Sequence, residues 1–485
     1  MVTGLFTAVL VLVLVRLLGA SGYGIFALAL STGAIASLIA DLGVTLSTAR
    51  FVAERRDDPV AVTAVLSAGL RLKLAFATVL AVVLIAVAGP IAAAYDEPGL
   101  AWPLRVMAVS MWAEGLLNLY TASFVALRRV GLNVRVILVE SAVEATATLG
   151  LVIASTGVVG AVAGRAVGYG VGAVFAGAVA VRTLGPAVLE FRRARRADVH
   201  DVAVYGRPLF WTNSAYTVYA DVDLQLVAAL LSARSVGLLS APLRLITFLG
   251  YLGQAVANAV APRMVRTSVH APDTRAFAGG LRLLLVVQCL LVAPVLVWAE
   301  PLVVLLLGAP FRDAAPVLQA LTPYMVLHGI SPLITTTVNY LGLAARRVRL
   351  VLICLAVNVV IDLILLPRIG VVGAAIGTGV AYCIYVPAHF WLCMRSFDLP
   401  LPRLALTVAR SVTASGGMAA VLALFGTRDL SPAAFVLGGI AGLAAFGALL
   451  LLSREVRVAD LRALRGFVRS RLARSDDAQA MRVDP

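Results

Sequence analysis

Residues 1–43 read MVTGLFTAVLVLVLVRLLGASGYGIFALALSTGAIASLIADLG, two apolar runs parted by the short turn Gly19–Gly22. A membrane-spanning helix needs roughly 20 mostly apolar residues, and each run approaches that length. A secretory leader would begin with a basic segment and carry a single short apolar stretch. Here the first basic residue is Arg16, and the first run leads directly into a second. The segment therefore reads as the first two spans of a polytopic membrane protein.

Working outward, the whole chain has the same character. Of its 485 residues, 61% are hydrophobic and 13% charged, with a mean hydropathy of +0.98. Soluble domains are nearer half apolar and a quarter charged, so disorder, a disulfide scaffold and an ordinary soluble enzyme are excluded. Fourteen stretches are candidate spans, near 2–18, 22–42, 74–94, 103–126, 134–155, 158–181, 208–231, 236–260, 280–299, 317–342, 349–366, 371–393, 404–425 and 433–452. The expected fold class is an all-α polytopic membrane protein of about 14 transmembrane helices.

Alternate connections are rich in arginine, for example Arg50, Arg55 and Arg56, then Arg128 and Arg129, then Arg346, Arg347 and Arg349. That bias predicts cytoplasmic basic loops, both termini in the cytoplasm, and a cell membrane location. The net charge of +15 then reflects contact with anionic lipid headgroups and not nucleic acid. Among 40 cationic residues only Lys73 is lysine; the sequence offers codon usage as the reason, and Lys73 and Arg71 read as anchors at the membrane interface. Cys289, Cys354, Cys383 and Cys393 form no CxxC pair, so neither a disulfide framework nor a metal site is expected. From Ser453 to Arg474, leucines alternate with arginines, the pattern of an amphipathic surface helix.

An internal repeat organises the spans. GVVGA at 157–161 recurs at 370–374, and the same offset pairs Gly24 with Gly237, Arg50 with Arg263, Gly164 with Gly377 and Tyr169 with Tyr382. Six spans separate the copies, so both enter the membrane in the same direction, and parallel repeats of this kind place a substrate path between two lobes. The expected organisation is an N-lobe over 1–198 (spans 1–6), a C-lobe over 199–395 (spans 7–12), two further spans over 396–453, and a cytoplasmic basic tail over 454–485.

A charge near the bilayer centre costs on the order of 3 kcal/mol and calls for a reason. Arg165 and Arg244 follow several apolar turns and should face protein or water; Arg16 and Arg105 sit near span ends, where snorkelling to the interface competes as an explanation. Asp41, Glu114, Glu140, Glu144, Asp221, Asp223 and Asp362 supply the acidic complement. Pairing, for instance Arg165 with Glu144 or Glu114, is one reading of them.

The run VRLLGASGYGIFALAL…ADLGVTLSTARFVAERR resembles the opening of the polysaccharide transporter family, lipid-linked oligosaccharide flippases of the multidrug/oligosaccharidyl-lipid/polysaccharide exporter superfamily. Its marks are Arg16, Leu18-Gly19, Gly24-Ile25-Phe26-Ala27, Asp41-Leu42-Gly43 and Arg50-Phe51-Val52; the second half repeats the style with Arg207-Pro208, Asp223, Val236-Gly237 and Arg244-Leu245. Leu239 departs from the family, in which tyrosine is common near the turn. The resemblance implies movement of a polyprenyl-pyrophosphate-linked glycan from the cytoplasmic to the outer leaflet by alternating access. It also implies work alongside glycosyltransferases and a polysaccharide polymerase; a monomer is expected, since two lobes already exist in one chain.

Arginine suits such a cargo because its planar fork stays charged and grips phosphate oxygens in pairs. Arg165 and Arg244, with Arg16 and Arg105, are thus the candidate pyrophosphate or glycan contacts, and Asp41, Glu114, Asp223 and Asp362 the candidates for H⁺ or Na⁺ coupling or charge balance. No other cofactor is expected. A peptidoglycan lipid-precursor flippase and a multidrug or cation antiporter are the alternatives, the second disfavoured by the arginines. No GxxxxGK[ST] or HExxH motif and no long acidic loop is present, so the chain does not read as an enzyme.

Overall fold

The computed structural model describes residues 2–190, 194–264 and 272–456, all helix and connecting turns among those described. The N-terminal half comprises α1 (Val2–Asp41), α2 (Val44–Glu54), α3 (Pro59–Ala94), α4 (Ala101–Ala126), α5 (Val130–Leu151) and α6 (Gly157–Leu184). The C-terminal half runs through α7 (Arg196–Leu230), α8 (Ala233–Val260), α9 (Thr274–Val297), α10 (Ala299–Leu307), α11 (Ala315–Ala320), α12 (Thr322–Tyr340), α13 (Ala344–Ile369) and α14 (Val371–Met394). Two more helices follow, α15 (Leu401–Leu424) and α16 (Pro432–Leu452). Most of the Ser453–Arg474 amphipathic stretch lies outside the described residues.

All fourteen expected stretches are helical, but length and hydropathy alone do not confirm fourteen separate spans. Among the described residues ten helices are long and apolar enough to cross a membrane, or eleven if the pair Ala309–Ala320 and Thr322–Tyr340, bent by 66°, is one span. The first two stretches are separate helical segments of α1, divided by the kink at Gly19 (φ 66°, ψ −179°), and polar side chains such as Arg105, Glu114, Asp221 and Asp223 lower the hydropathy of α4 and α7. Helix α3 also starts at Pro59, fifteen residues before the apolar run, because Asp58 caps it by accepting from the backbone N–H of Val60 and Ala61. On α3 and α16 the large apolar side chains that point outward, such as Val79, Val82 and Ile85 or Val436, Leu437 and Ile440, are exposed, as helices facing lipid require.

The sequence repeat has a counterpart in backbone geometry. Gly157 (φ 56°, ψ −134°) and Gly370 (φ 65°, ψ −150°) make the same single-residue reversal between α5 and α6 and between α13 and α14, a conformation that favours glycine. At the start of α8 and of the second segment of α1, Gly24 and Gly237 face each other. A Cβ on Gly24 would fall on the Ala233 carbonyl oxygen, and one on Gly237 on the Ala20 carbonyl oxygen. Each residue thus meets the neighbour of its own counterpart, since Ala20 and Ala233 share the same offset, and this reciprocity is that of a two-fold axis. The two halves close against each other there, backbone on backbone.

Candidate functional site

Beyond that closed end the halves enclose a cavity of about 1020 Å³, which extends to Val125 and Asn133 at the connection between α4 and α5. The polar wall of the N-terminal half is built by helix ends and glycines. Leu42 (φ 45°) and Gly43 (φ 76°) terminate α1, leaving Asp41 in its last turn and Thr45 just beyond the break. Asp41 Oδ1 accepts from the Thr45 hydroxyl and from Lys73 Nζ. Glu114 of α4 accepts from the Ser37 hydroxyl at 3.4 Å.

Arg165 of α6 reaches the cavity, but it is braced. Its Nη1 donates to Glu144 Oε1 at 2.9 Å and its Nη2 to the Tyr169 hydroxyl, with the guanidinium 4.7 Å from the Tyr169 ring centroid. Glu144 can reach it because glycines on α6 bring α5 close; a Cβ on Gly168 would strike Glu144 Cβ and Cα. Of the two pairings open in the sequence, Glu144 is the ion partner.

Arg244 of α8 lines the opposite wall beside Tyr23 and Asp221, and no ion pair to it occurs among the described residues. Thus Arg165 and Arg244 share one chamber, and Arg16 and Arg105 do not line it. Arg16 donates to the main-chain carbonyls of Leu305 and Leu306, where the partial negative end of α10 suits a cation. Arg105 lies over the Trp102 ring at 4.8 Å.

The C-terminal half holds a buried acidic cluster. Helix α7 runs unbroken through Asp221 and Asp223. Asp223 Oδ1 accepts from Asn358 Nδ2 at 2.8 Å and Oδ2 from the Thr378 hydroxyl at 2.6 Å. The Asn358 amide also donates to Asp362 Oδ2 at 3.1 Å, so one side chain links both acids. Asp223 lines the cavity; Asp362 sits behind it, fully buried. Asp362 Oδ1 has no hydrogen-bond partner among the described residues. A buried carboxylate oxygen without a donor is costly unless a proton or cation meets it.

Two features escaped the sequence reading. Lys73 is no interface anchor: it is 3% exposed and forms part of the cavity wall. Its being the one lysine in the chain was the available signal. The second is an aromatic face of Tyr219, Tyr324, His328 and Tyr382, with Tyr219 and Tyr382 stacked at 6.2 Å and Tyr324 edge-on to Tyr382 at 4.6 Å. Only the repeat position of Tyr382 hinted at it.

Comparisons with known proteins follow the same lines. A family model described as "Polysaccharide biosynthesis protein" matches residues 1–268. A curated relative, "Probable low-salt glycan biosynthesis flippase Agl15" of Haloferax volcanii, is 21% identical over 245 residues, which is 49% of this chain and 51% of the relative. The chain thus matches about half the length of that relative. Among solved structures, the lipid II flippase MurJ in an inward closed conformation superposes with a TM-score of 0.77 at 14% identity, covering 94% of this chain and 98% of that one. An inward-facing multidrug resistance MATE family transporter of the MOP superfamily gives 0.63 at 14% identity, over 81% and 94%. At such identities the likeness concerns the fold.

Proposed function

The chain belongs to the polysaccharide biosynthesis protein family, and from that premise we propose that it is a flippase carrying a polyprenyl-pyrophosphate-linked oligosaccharide from the cytoplasmic to the outer leaflet for surface polysaccharide assembly. One observation carries the reading: Arg244, a permanent cation without an ion partner among the described residues, stands in the wall of a chamber between the two halves. The guanidinium is exposed to the chamber, with the Tyr23 hydroxyl and the Asp221 carboxylate beside it, so an anion can reach it there, and a pyrophosphate is the anion this family's cargo would bring. Arg165, already braced by Glu144, would contribute a second, more rigid contact, and the tyrosine face offers flat apolar plates with hydroxyl edges for sugar rings.

In this account the closed contact at Gly24 and Gly237 and the cavity reaching the arginine-rich α4–α5 connection correspond to a state that loads from the cytoplasm. Rocking of the halves would exchange the closed end for an open one. The Asp223–Asn358–Asp362–Thr378 cluster would bind H⁺ or Na⁺ and bias that exchange, because a cation there changes the charge of the very wall the cargo meets. Asp41 and Glu114, the other acids proposed from the sequence, stand on the facing wall.

A strain assembling a surface polysaccharide tests the reading. Deletion should block export and leave lipid-linked repeat units on the cytoplasmic leaflet, with Arg244→Ala failing to restore export although it reaches the membrane. Normal polymer accompanied by altered drug tolerance would favour the antiporter alternative and overturn the proposal.

A further inference from the structure

Lys73 stands alone in composition and in position. It is the one lysine beside 39 arginines, and it is buried on the wall of the central cavity with its ammonium on Asp41. Helix α4 makes room for it: a Cβ on Gly115 would lie 2.6 Å from Lys73 Cε, so the stem runs along bare backbone. Of the ammonium's three N–H groups, one goes to Asp41 Oδ1 and one lies 3.5 Å from the Thr45 hydroxyl. Lysine, unlike arginine, is a compact charge whose donors can be redirected from one acceptor to another without reorienting a planar fork.

We propose that Lys73 is a phosphate-binding residue whose ammonium is held by Asp41 and transferred to an oxygen of the incoming pyrophosphate. This rests on the lipid-pyrophosphate reading above and adds to it a third cation, on the N-terminal wall, that is masked until cargo arrives. The exchange moves no covalent bond. Asp41, once released, keeps the Thr45 hydroxyl as a donor, and Thr45 thereby limits the cost of parting the pair. The site takes the phosphate end of a polyprenyl pyrophosphate and has no role for the lipid alcohol.

The test uses the purified full chain in detergent, with farnesyl pyrophosphate as the probe, farnesol as its uncharged counterpart, and ligand-induced thermal stabilisation as the readout. The wild type should respond to the pyrophosphate and not to the alcohol. Lys73→Met should weaken that response about tenfold in apparent affinity, about 1.4 kcal/mol. Asp41→Asn, which frees the ammonium from its competitor, should strengthen it several-fold. A pair that serves only to hold α1 to α3 predicts the opposite for Asp41→Asn: lower stability and no tightening. Should Lys73→Met fail to fold, Asp41→Asn alone decides. A wild type indifferent to the pyrophosphate removes the lipid-pyrophosphate reading together with this one. A wild type that binds while both variants bind equally well removes only the role of Lys73.

Discussion

The reciprocal contact of Gly24 and Gly237 is a direct handle on the closed end of the cavity. In Gly24→Ala the new Cβ would lie on the Ala233 carbonyl oxygen, 2.7 Å from the Ala233 carbonyl carbon and 2.9 Å from the Gly237 nitrogen. Non-bonded carbons prefer about 3.5–4.0 Å, and every atom met is backbone, so no side chain can turn aside. The helices must part at this end by more than an ångström. Overpacking of this kind costs about 1–3 kcal/mol, and because the cost falls only on the closed arrangement, the open-to-closed ratio should rise about 5- to 150-fold. The assay is the labelling rate of a single cysteine at Thr247, a half-buried cavity residue, in a background lacking Cys289, Cys354, Cys383 and Cys393. A membrane-impermeant maleimide is applied from the face where the two glycines meet. Gly170→Ala is the control, as a Cβ there meets nothing within 4 Å. Gly24→Ala should label faster and Gly170→Ala at the parental rate. Equal rates in all three, with unchanged thermal stability, would refute the idea that this contact seals the cavity. Gly237→Ala should reproduce the effect, and the double variant should add little, because one separation relieves both clashes.

The two cavity arginines should fail differently. Arg244→Ala should lower transport about 10- to 100-fold with folding intact, the worth of a charged hydrogen bond; Arg165→Ala should also destabilise, since it strands Glu144, and the added change Glu144→Ala should recover thermal stability without recovering transport. For the acidic cluster, Asp223→Asn and Asp362→Asn should each abolish the response of vesicle transport to an imposed H⁺ or Na⁺ gradient while downhill exchange of cargo continues; a response that survives in both variants sinks the coupling role. Glu455, beyond the last helix, accepts from Arg282 at 2.6 Å, Thr407 at 2.7 Å and Arg410 at 3.1 Å. Burial pushes its carboxyl up, but those three donors outweigh burial and hold it below the ordinary carboxylate value. Its contribution is therefore complete above about pH 4.3, the unfolded value, and is lost as pH falls through the lower folded value. Glu455→Gln should lower the melting temperature by a few degrees at pH 7 and flatten the acid-side decline between pH 5 and 3.

Apolar run length is a property of local sequence, and so the helical class, the membrane setting and nearly all helix positions could be read directly. The repeat was legible for a similar reason, since residues as constrained as Gly157 and Gly370 leave a mark at a fixed spacing. The number of spans was not confirmed by hydropathy, because polar residues facing a cavity lower the hydropathy of α4 and α7. Charges were harder still. The sequence could name Arg16, Arg105, Arg165 and Arg244 as costly in a bilayer. Only packing placed the first two outside the chamber, gave Glu144 to Arg165, and left Arg244 without an ion partner among the described residues. The same holds for Lys73, which looked like an interface anchor until α1 and α4 closed around it, and for the link from Asp223 to Asp362 through Asn358, residues up to 139 positions apart in the chain. Hydrophobicity acts residue by residue and is written along the chain; an ion pair or a shared amide exists only once distant helices meet, and that is settled by the tertiary structure.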